Sequence, residues 1–124
     1  MPASNTFPKA ARLLKRPEFV RLSNRAHHHS MRGLLVVWLP GSTLHARLGV
    51  TVSKKVGNAV LRNRIKRCIR EIFRQNRSTL PAVDLNVIAR REAAAMDFHR
   101  LEQELLTAFG RIGLSPCLHA AHSA

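Results

Sequence analysis

Three stretches of the chain have the apolar pattern of β-strands. Residues 33–39 form an apolar run of strand length that ends at the turn pair Pro40-Gly41, which predicts a strand covered on both faces. Residues 46–52 and 85–90 alternate in the two-residue period of strands with one buried face. The turn at 40–43 favours a hairpin between the first two strands. The sequence therefore predicts a sheet of three or four strands.

Apolar residues at helical spacing predict three helices. A short helix at about 17 to 23 would begin at Pro17, because proline suits the first helical position. A longer helix follows the N-cap residue Asn58, and a last one starts near the N-cap Asp97 and stops at Gly110. The predicted core positions of the two long helices are Leu61, Ile65, Cys68, Ile69 and Ile72, then Phe98, Leu101, Leu105, Ala108 and Phe109.

The order of these elements predicts one α+β domain. A strand, a long helix and a strand in succession favour a parallel crossover unit. A chain of 124 residues with 45% hydrophobic content is the size of a single domain with a modest core. We expect an ordered region at about residues 10–112, flexible tails on both sides and no internal repeat.

The positive charge of the chain indicates that the domain has a polyanionic partner. The formal net charge is +14, and nine of the 21 basic residues lie between Lys54 and Arg77, against the single acid Glu71. Such a surface concentrates phosphate and speeds encounter with nucleic acid. Asn63 sits between Arg62 and Arg64, and its amide can donate and accept in a specific contact. The pattern predicts a nucleic-acid interface on one face of the long helix.

The sequence offers no self-sufficient catalytic or metal site. The seven acidic residues are scattered over predicted helix faces and loop edges, whereas metal-dependent nucleases need converging carboxylates. The run His27-His28-His29 points to alternate faces if extended, so we interpret it as a solvated edge strand or loop. Cys68 and Cys117 do not form a disulfide framework, and Cys68 falls among the core positions of the long helix.

No apolar run is long enough to span a membrane, and the N-terminus lacks a signal-peptide pattern, so we expect a cytoplasmic protein without a membrane partner. No obligate protein partner is evident. The aromatic residues are few and there is no tyrosine, which argues against a broad base-stacking platform. For Phe19 and Trp38, core packing and stacking on a base both stay open.

The central stretch Ser53-Lys54-Lys55-Val56-Gly57-Asn58-Ala59-Val60, followed by Arg62-Asn63-Arg64-Ile65-Lys66-Arg67, resembles the signature of the bacterial ribonuclease P protein component. A weaker similarity extends from about Arg12 to Phe109. The resemblance implies a two-layer domain with a mixed sheet, in the order helix, three strands, basic helix, strand and helix. It also implies a left-handed crossover through the basic helix, although most such crossovers are right-handed.

The function that the resemblance implies is that of a small protein assisting a large catalytic RNA. That RNA removes the 5′ leader of precursor tRNA by endonucleolytic hydrolysis, and it holds the catalytic Mg²⁺ ions, so no catalytic residue or metal is expected in the protein. The basic element would contact the catalytic RNA and screen phosphate repulsion. The residues that match this element are Lys54, Lys55, Asn58, Arg62, Asn63, Arg64, Lys66, Arg67 and Arg70.

A cleft between the first helix and the sheet is implied to bind the single-stranded leader. Its matching positions are Phe19, Leu35 and Val37, but Ser23 and Val37 stand where related proteins carry a second aromatic and sometimes a tyrosine. Weaker stacking would then be compensated by apolar contact, by Arg12 and Lys15 and by the cationic helix.

Two other functions stay open on the sequence. A ribosomal or RNA-chaperone protein could have the same basic helix on a sheet. A protein-only nuclease is disfavoured by the scattered carboxylates.

Overall fold

The structure, a computed structural model, describes residues 11–13, 17, 26–41 and 44–113. Within them the elements are β1 (His27–Ser30), β2 (Leu34–Pro40), β3 (Arg47–Val52), α1 (Ala59–Asn76), β4 (Val83–Ala89) and α2 (Phe98–Gly113). Short 3₁₀ segments, Arg77–Thr79 and Arg91–Ala95, follow α1 and β4. The predicted α+β class is confirmed. The predicted helix at about 17 to 23, except for Pro17, and most of both predicted tails lie outside the described residues.

The four strands form one mixed sheet in the order β1-β2-β4-β3. β4 is antiparallel to β2 and parallel to β3, which confirms the parallel crossover unit through α1. The predicted hairpin between β2 and β3 is wrong, since β4 lies between them. A turn at the end of a strand does not select its partner, and β4, with six of its seven residues buried, occupies a central position. The left-handed sense of the crossover stays a prediction.

The prediction that β2 is covered on both faces is confirmed fully for one face and partly for the other. Leu34, Val36 and Trp38 are buried in the core, whereas the alternate residues Leu35 and Val37 are only half-buried. A continuous apolar run has no period, so it cannot show which face is the more open one. β1 is the edge strand expected for the histidine run, and it pairs with β2 so that His27 stacks on Trp38 with ring centroids 6.1 Å apart.

Both helices pack on the face of the sheet that carries Leu34, Val36 and Trp38. In α2, Phe98 is 38% exposed rather than in the core, because it directly follows the N-cap at the free end of the helix. Gly110 does not end α2, since no glycine among the described residues has the positive φ of a C-cap, and the helix continues to Gly113. The buried helical residues are Ile65, Ile69, Ile72, Phe73, Leu101, Leu105, Ala108, Phe109 and Ile112.

The two predicted N-caps are confirmed. The Oδ1 of Asn58 accepts from the amide of Leu61 at 2.9 Å, and the Oδ1 of Asp97 accepts from the amide of Arg100 at 2.9 Å. Each cap is worth roughly 0.5–2 kcal/mol. These caps fix where each helix begins, and so they fix the position of the basic residues in the first turns. Neither described helix is long and apolar enough to cross a membrane.

Candidate nucleic-acid interface

The two faces of α1 have opposite chemistry. Ile65, Ile69 and Ile72 are fully buried against the sheet, whereas Asn63, Arg67 and Arg70, on other sides of the helix, are exposed. Among the described residues, Arg67 and Arg70 form neither an ion pair nor a hydrogen bond through their side chains. Because the three isoleucines pack against the sheet, the unpaired guanidinium groups of Arg67 and Arg70 lie on the solvent-exposed side of the helix.

A groove beside α1 gathers cationic side chains from two parts of the chain. Its volume is about 390 Å³. Arg12 reaches it because the segment 11–13 runs along the edge strand β3, where the amide of Leu13 donates to the carbonyl of Leu48 at 2.8 Å. We call this cavity the α1 groove, and it is lined by Arg12, Asn63, Arg67, Arg70, Glu71 and Arg74.

The carboxylate of Glu71 in the α1 groove is neutralised by its neighbour in the helix. The Nε of Arg74 donates to Glu71 at 3.0 Å, a second Arg74 nitrogen donates to the other carboxylate oxygen, and Gln75 donates at 3.1 Å. The hydrogen bonds and charge of Arg74, with Gln75, hold the pKa of Glu71 below its usual value, against the opposing effect of partial burial. Glu71 thus stays ionised and bound to Arg74.

The residues at the start of α1 are held by main-chain contacts. The Nε of Arg62 donates to the carbonyl of Gly57 at 3.1 Å. Arg64 reaches across to the turn before α2, where its Nη1 and Nη2 donate to the carbonyls of Met96 at 3.3 Å and Ala94 at 3.4 Å. A guanidinium group has five N–H donors, so both arginines keep donors for an anion. Lys54 and Lys55 are exposed in the turn after β3, and Lys66 is half-buried.

The second candidate surface lies on the opposite face of the sheet. Leu35 and Val37 are half-buried there, and their neighbours on β4 are Ile88 and Asn86. Thr51 on β3 donates to the side-chain oxygen of Asn86 at 3.2 Å. On β1, Ser30 pairs with Leu35 and His28 pairs with Val37. The surface is therefore a mixed apolar and polar strip, with no phenylalanine, tyrosine or tryptophan among its described residues.

Comparison with known proteins decides the family. The model of the family Ribonuclease P matches residues 7–113. The ribonuclease P protein component of Citrifermentans bemidjiense is 48% identical over 109 residues, which cover 88% of this chain and 94% of that protein. The chain belongs to the ribonuclease P protein family.

Solved structures of ribonuclease P proteins have the same fold. That of Staphylococcus aureus superposes with a TM-score of 0.77 at 40% identity, and covers 85% of this chain and 96% of its own. That of Thermotoga maritima gives 0.75 at 31% identity, with coverage of 82% and 96%. The resemblance inferred from the basic element is confirmed, as is the mixed sheet.

The structure groups the predicted ribonuclease P site residues differently from the sequence. Arg12, predicted with the leader cleft, lines the α1 groove with Asn63, Arg67 and Arg70. Leu35 and Val37 lie on the other face of the sheet from the helices, and the predicted cleft residues Lys15 and Phe19 lie outside the described residues.

Sequence reasoning missed two members of the α1 groove. The charge pattern marks Arg74 only as one of the basic residues between Lys54 and Arg77, and Glu71 only as the lone acid among them, whereas both line the groove. Their spacing of three residues, which places them together on a helix, was the available signal. Among the described residues, no three histidine, cysteine or acidic side chains come close enough to hold a metal ion.

Proposed function

We propose that this ribonuclease P protein binds the catalytic RNA through the α1 groove and the basic residues at the start of α1, and that it holds the 5′ leader of precursor tRNA while the RNA cleaves. The observation that carries the proposal is the convergence of Arg12, Arg67, Arg70 and Arg74 with Asn63 on one cavity. Dispersed surface charge would attract RNA but would not fix its position. A groove lined by guanidinium groups, whose paired N–H donors match phosphate oxygens, both attracts RNA and fixes its position.

Phosphate neutralisation supplies the affinity. Each RNA phosphate neutralised by an arginine or lysine releases a counterion, and the logarithm of the binding constant falls with the logarithm of salt concentration by roughly 0.7–0.9 per contact. Arg67 and Arg70 have no intramolecular partner among the described residues, so a phosphate does not have to displace one. The same charges would screen the repulsion between the catalytic RNA and its tRNA substrate.

The strip around Leu35 and Val37 is the surface we assign to the leader. Its half-buried apolar side chains suit the edges and sugars of unstacked nucleotides, and the chain has no tyrosine to stack on a base. Asn86 is buried and already accepts from Thr51, so it shapes the strip more than it contacts RNA. We propose that leader binding is weakly dependent on base sequence.

Hydrolysis is assigned to the RNA and its Mg²⁺ ions. The carboxylates in the described part of the chain do not suit a metal centre, because four of them already have other donors, one of them being Asp97 as the N-cap of α2. Asp84 binds Arg47, Glu71 binds Arg74, and Glu104 accepts from the amide of Gly33 at 3.1 Å. The protein is then an accessory subunit of a cytoplasmic endoribonuclease, and its residues position RNA.

The experiment compares cleavage of precursor tRNA at low Mg²⁺ by the matching catalytic RNA alone, by the protein alone and by both together. We expect cleavage at the 5′ end of the mature tRNA only when the RNA is present, and a large increase in rate when the protein is added. No increase would refute the proposal. Binding to ribosomes without stimulation would favour a ribosomal or chaperone protein, and cleavage by the protein alone would show a protein nuclease.

A further inference from the structure

A second cationic cavity includes in its wall Met96, whose carbonyl accepts from Arg64. Its volume is about 400 Å³. Arg32 comes from the turn between β1 and β2, and Arg100 from the first turn of α2. We call this cavity the Arg32–Arg100 pocket, and it is lined by Arg32, Glu92, Ala95, Met96 and Arg100.

No described side-chain contact of Arg32 or Arg100 stabilises the fold. Both are exposed, and within the described part of the chain neither forms a hydrogen bond or an ion pair through its side chain. Glu92, in the same pocket, has no such partner there either, so the pocket keeps one uncompensated positive charge. Two guanidinium groups from separate elements thus face one cavity, and among the described residues neither is paired with its carboxylate, Glu92.

The position of Arg100 runs against local helix preference. Asp97 is the N-cap of α2, so Arg100 is the third residue of the helix, and the first turn contains no acidic residue. The partial positive charge at the start of a helix favours acidic side chains there and disfavours basic ones. Residues that oppose their local preference are expected at functional or strained sites. Here the side chain of Arg100 supplies the charge that favours a bound anion, because the start of α2 is already capped by Asp97.

The pocket adjoins the basic start of α1. Arg64 donates to the carbonyl of Met96, and Met96 is also part of the pocket wall. One residue therefore separates Arg64 from the cavity. An RNA strand that follows the start of α1 would continue past Met96 into the space between Arg32 and Arg100. The strip around Leu35 and Val37, by contrast, lies on the opposite face of the sheet from α2.

We propose that the Arg32–Arg100 pocket binds a backbone phosphate of the catalytic RNA, and so extends the RNA interface beyond α1. The inference rests on the proposed function, because it assumes that the start of α1 contacts that RNA. The cavity has the size of a small-ligand site, roughly 300–1,000 Å³. Its two arginines offer forked donors, which suit phosphate oxygens.

The test measures the affinity of the full chain for the catalytic RNA over a range of salt concentrations. The double variant R32Q/R100Q removes both charges of the pocket, and R67Q/R70Q removes two charges of the α1 groove for reference. The matched control is R111Q, which removes one charge from the exposed last turn of α2, about 16 Å along the helix from Arg100. A further variant, R32K/R100K, keeps the charge but loses the fork.

We expect R32Q/R100Q to weaken binding about tenfold at ~0.15 M salt and to reduce the salt slope by about 0.7–0.9. R32K/R100K should recover the slope but only part of the affinity. The single variant R100Q, which removes one charge as R111Q does, should weaken binding clearly more than R111Q. Equal effects of R100Q and R111Q would overturn the inference. So would an unchanged affinity for the catalytic RNA with a loss confined to the binding of precursor tRNA by the assembled holoenzyme.

The same titration separates this inference from the proposed function. If the unchanged protein does not bind the catalytic RNA, or if R67Q/R70Q binds it as tightly as the unchanged protein does, the proposed function itself fails. If R67Q/R70Q loses affinity as expected while R32Q/R100Q matches the unchanged protein, only the Arg32–Arg100 pocket is refuted. Circular dichroism and thermal unfolding of each variant show whether the fold is intact.

Discussion

Arg47 and Asp84 form an ion pair with two hydrogen bonds across the parallel strands β3 and β4. The Nε of Arg47 lies 2.9 Å from Oδ1 of Asp84, and its Nη2 lies 2.8 Å from Oδ2. The Asp84 side chain is 3% exposed and that of Arg47 15%, so water screens the pair little. The pair links β3 to β4 on the same face of the sheet as the strip around Leu35 and Val37.

Removing Asp84 should destabilise the protein far more than removing a surface carboxylate. Asp84→Ala removes the carboxylate that accepts two hydrogen bonds from a largely buried guanidinium group, and we expect a loss of about 3–5 kcal/mol in the free energy of unfolding. Urea denaturation measures this loss. The double variant R47M/D84L, which replaces the pair by apolar side chains of similar size, should recover most of it. A loss below about 1 kcal/mol for Asp84→Ala, the size found for exposed pairs, would contradict this account.

Arg64 should have a measurable structural role besides any contact with RNA. Arg64→Met removes the hydrogen bonds to the carbonyls of Met96 and Ala94, which are long and partly exposed, so we expect a loss of about 0.5–1 kcal/mol in stability. The matched control is Arg67→Met, because Arg67 has no side-chain partner among the described residues. Equal unfolding free energies for the two variants would show that the contacts of Arg64 contribute nothing to stability.

Glu71 should restrain the affinity of the α1 groove for RNA. Glu71→Gln removes the negative charge and releases Arg74 from its ion pair, so we expect tighter binding of the catalytic RNA and a salt slope steeper by up to about 0.9. Fluorescence titration at several salt concentrations measures both quantities. The reference is Glu102→Gln, which removes an equal charge from α2. Unchanged binding by Glu71→Gln would mean that the ion pair does not limit access of RNA to the groove.

The ion pair between Glu71 and Arg74 also predicts how the free energy of unfolding changes as the pH falls. Because Arg74 lowers the pKa of Glu71 in the folded protein, the contribution of the pair is fully present above the ordinary glutamate pKa of 4.5 and is lost as pH falls through the lower folded value. In the range just below pH 4.5, Glu71→Gln should therefore show a weaker loss of stability on acidification than the unchanged protein. Identical slopes of unfolding free energy against pH would contradict the shift.

A charge reversal at Arg100 should raise the stability of the free protein and weaken its binding of the catalytic RNA. Arg100→Glu places an acid in the first turn of α2, which favours the helix dipole by about 0.3–1 kcal/mol, while it reverses the charge that faces the Arg32–Arg100 pocket. We expect a higher melting temperature of the free protein together with weaker binding of the catalytic RNA. A variant that binds RNA as well as the unchanged protein would place the pocket outside the interface.

Local patterns predicted the parts of this fold that local physics determines. The burial of Ile65, Ile69 and Ile72 follows from their spacing on a helix, and the caps at Asn58 and Asp97 follow from side chains that bond to amides three residues on. The family could be inferred from one short element because its spacing of lysine, asparagine and arginine is so specific.

The contacts that the sequence did not predict join distant parts of the chain. The insertion of β4 between β2 and β3 depends on which apolar strand is buried most, and no turn signal contains that information. The place of Arg12 beside α1 depends on the bridge between Arg12 and Leu48. Asp84, expected on a helix face or loop edge, lies in the central strand because Arg47 neutralises it there. Each case is decided by tertiary packing.

The most direct test of the central claim compares Arg70 with Arg111. Both are exposed arginines on helices, but only Arg70 lines the α1 groove. The measurement is the dissociation constant of the full-length protein and the catalytic RNA of ribonuclease P. We predict that Arg70→Gln raises it about tenfold or more, since a charge-assisted hydrogen bond contributes about 1.5–3 kcal/mol, while Arg111→Gln leaves it nearly unchanged. Equal dissociation constants for the two variants would contradict the claim that the α1 groove is where this protein binds RNA.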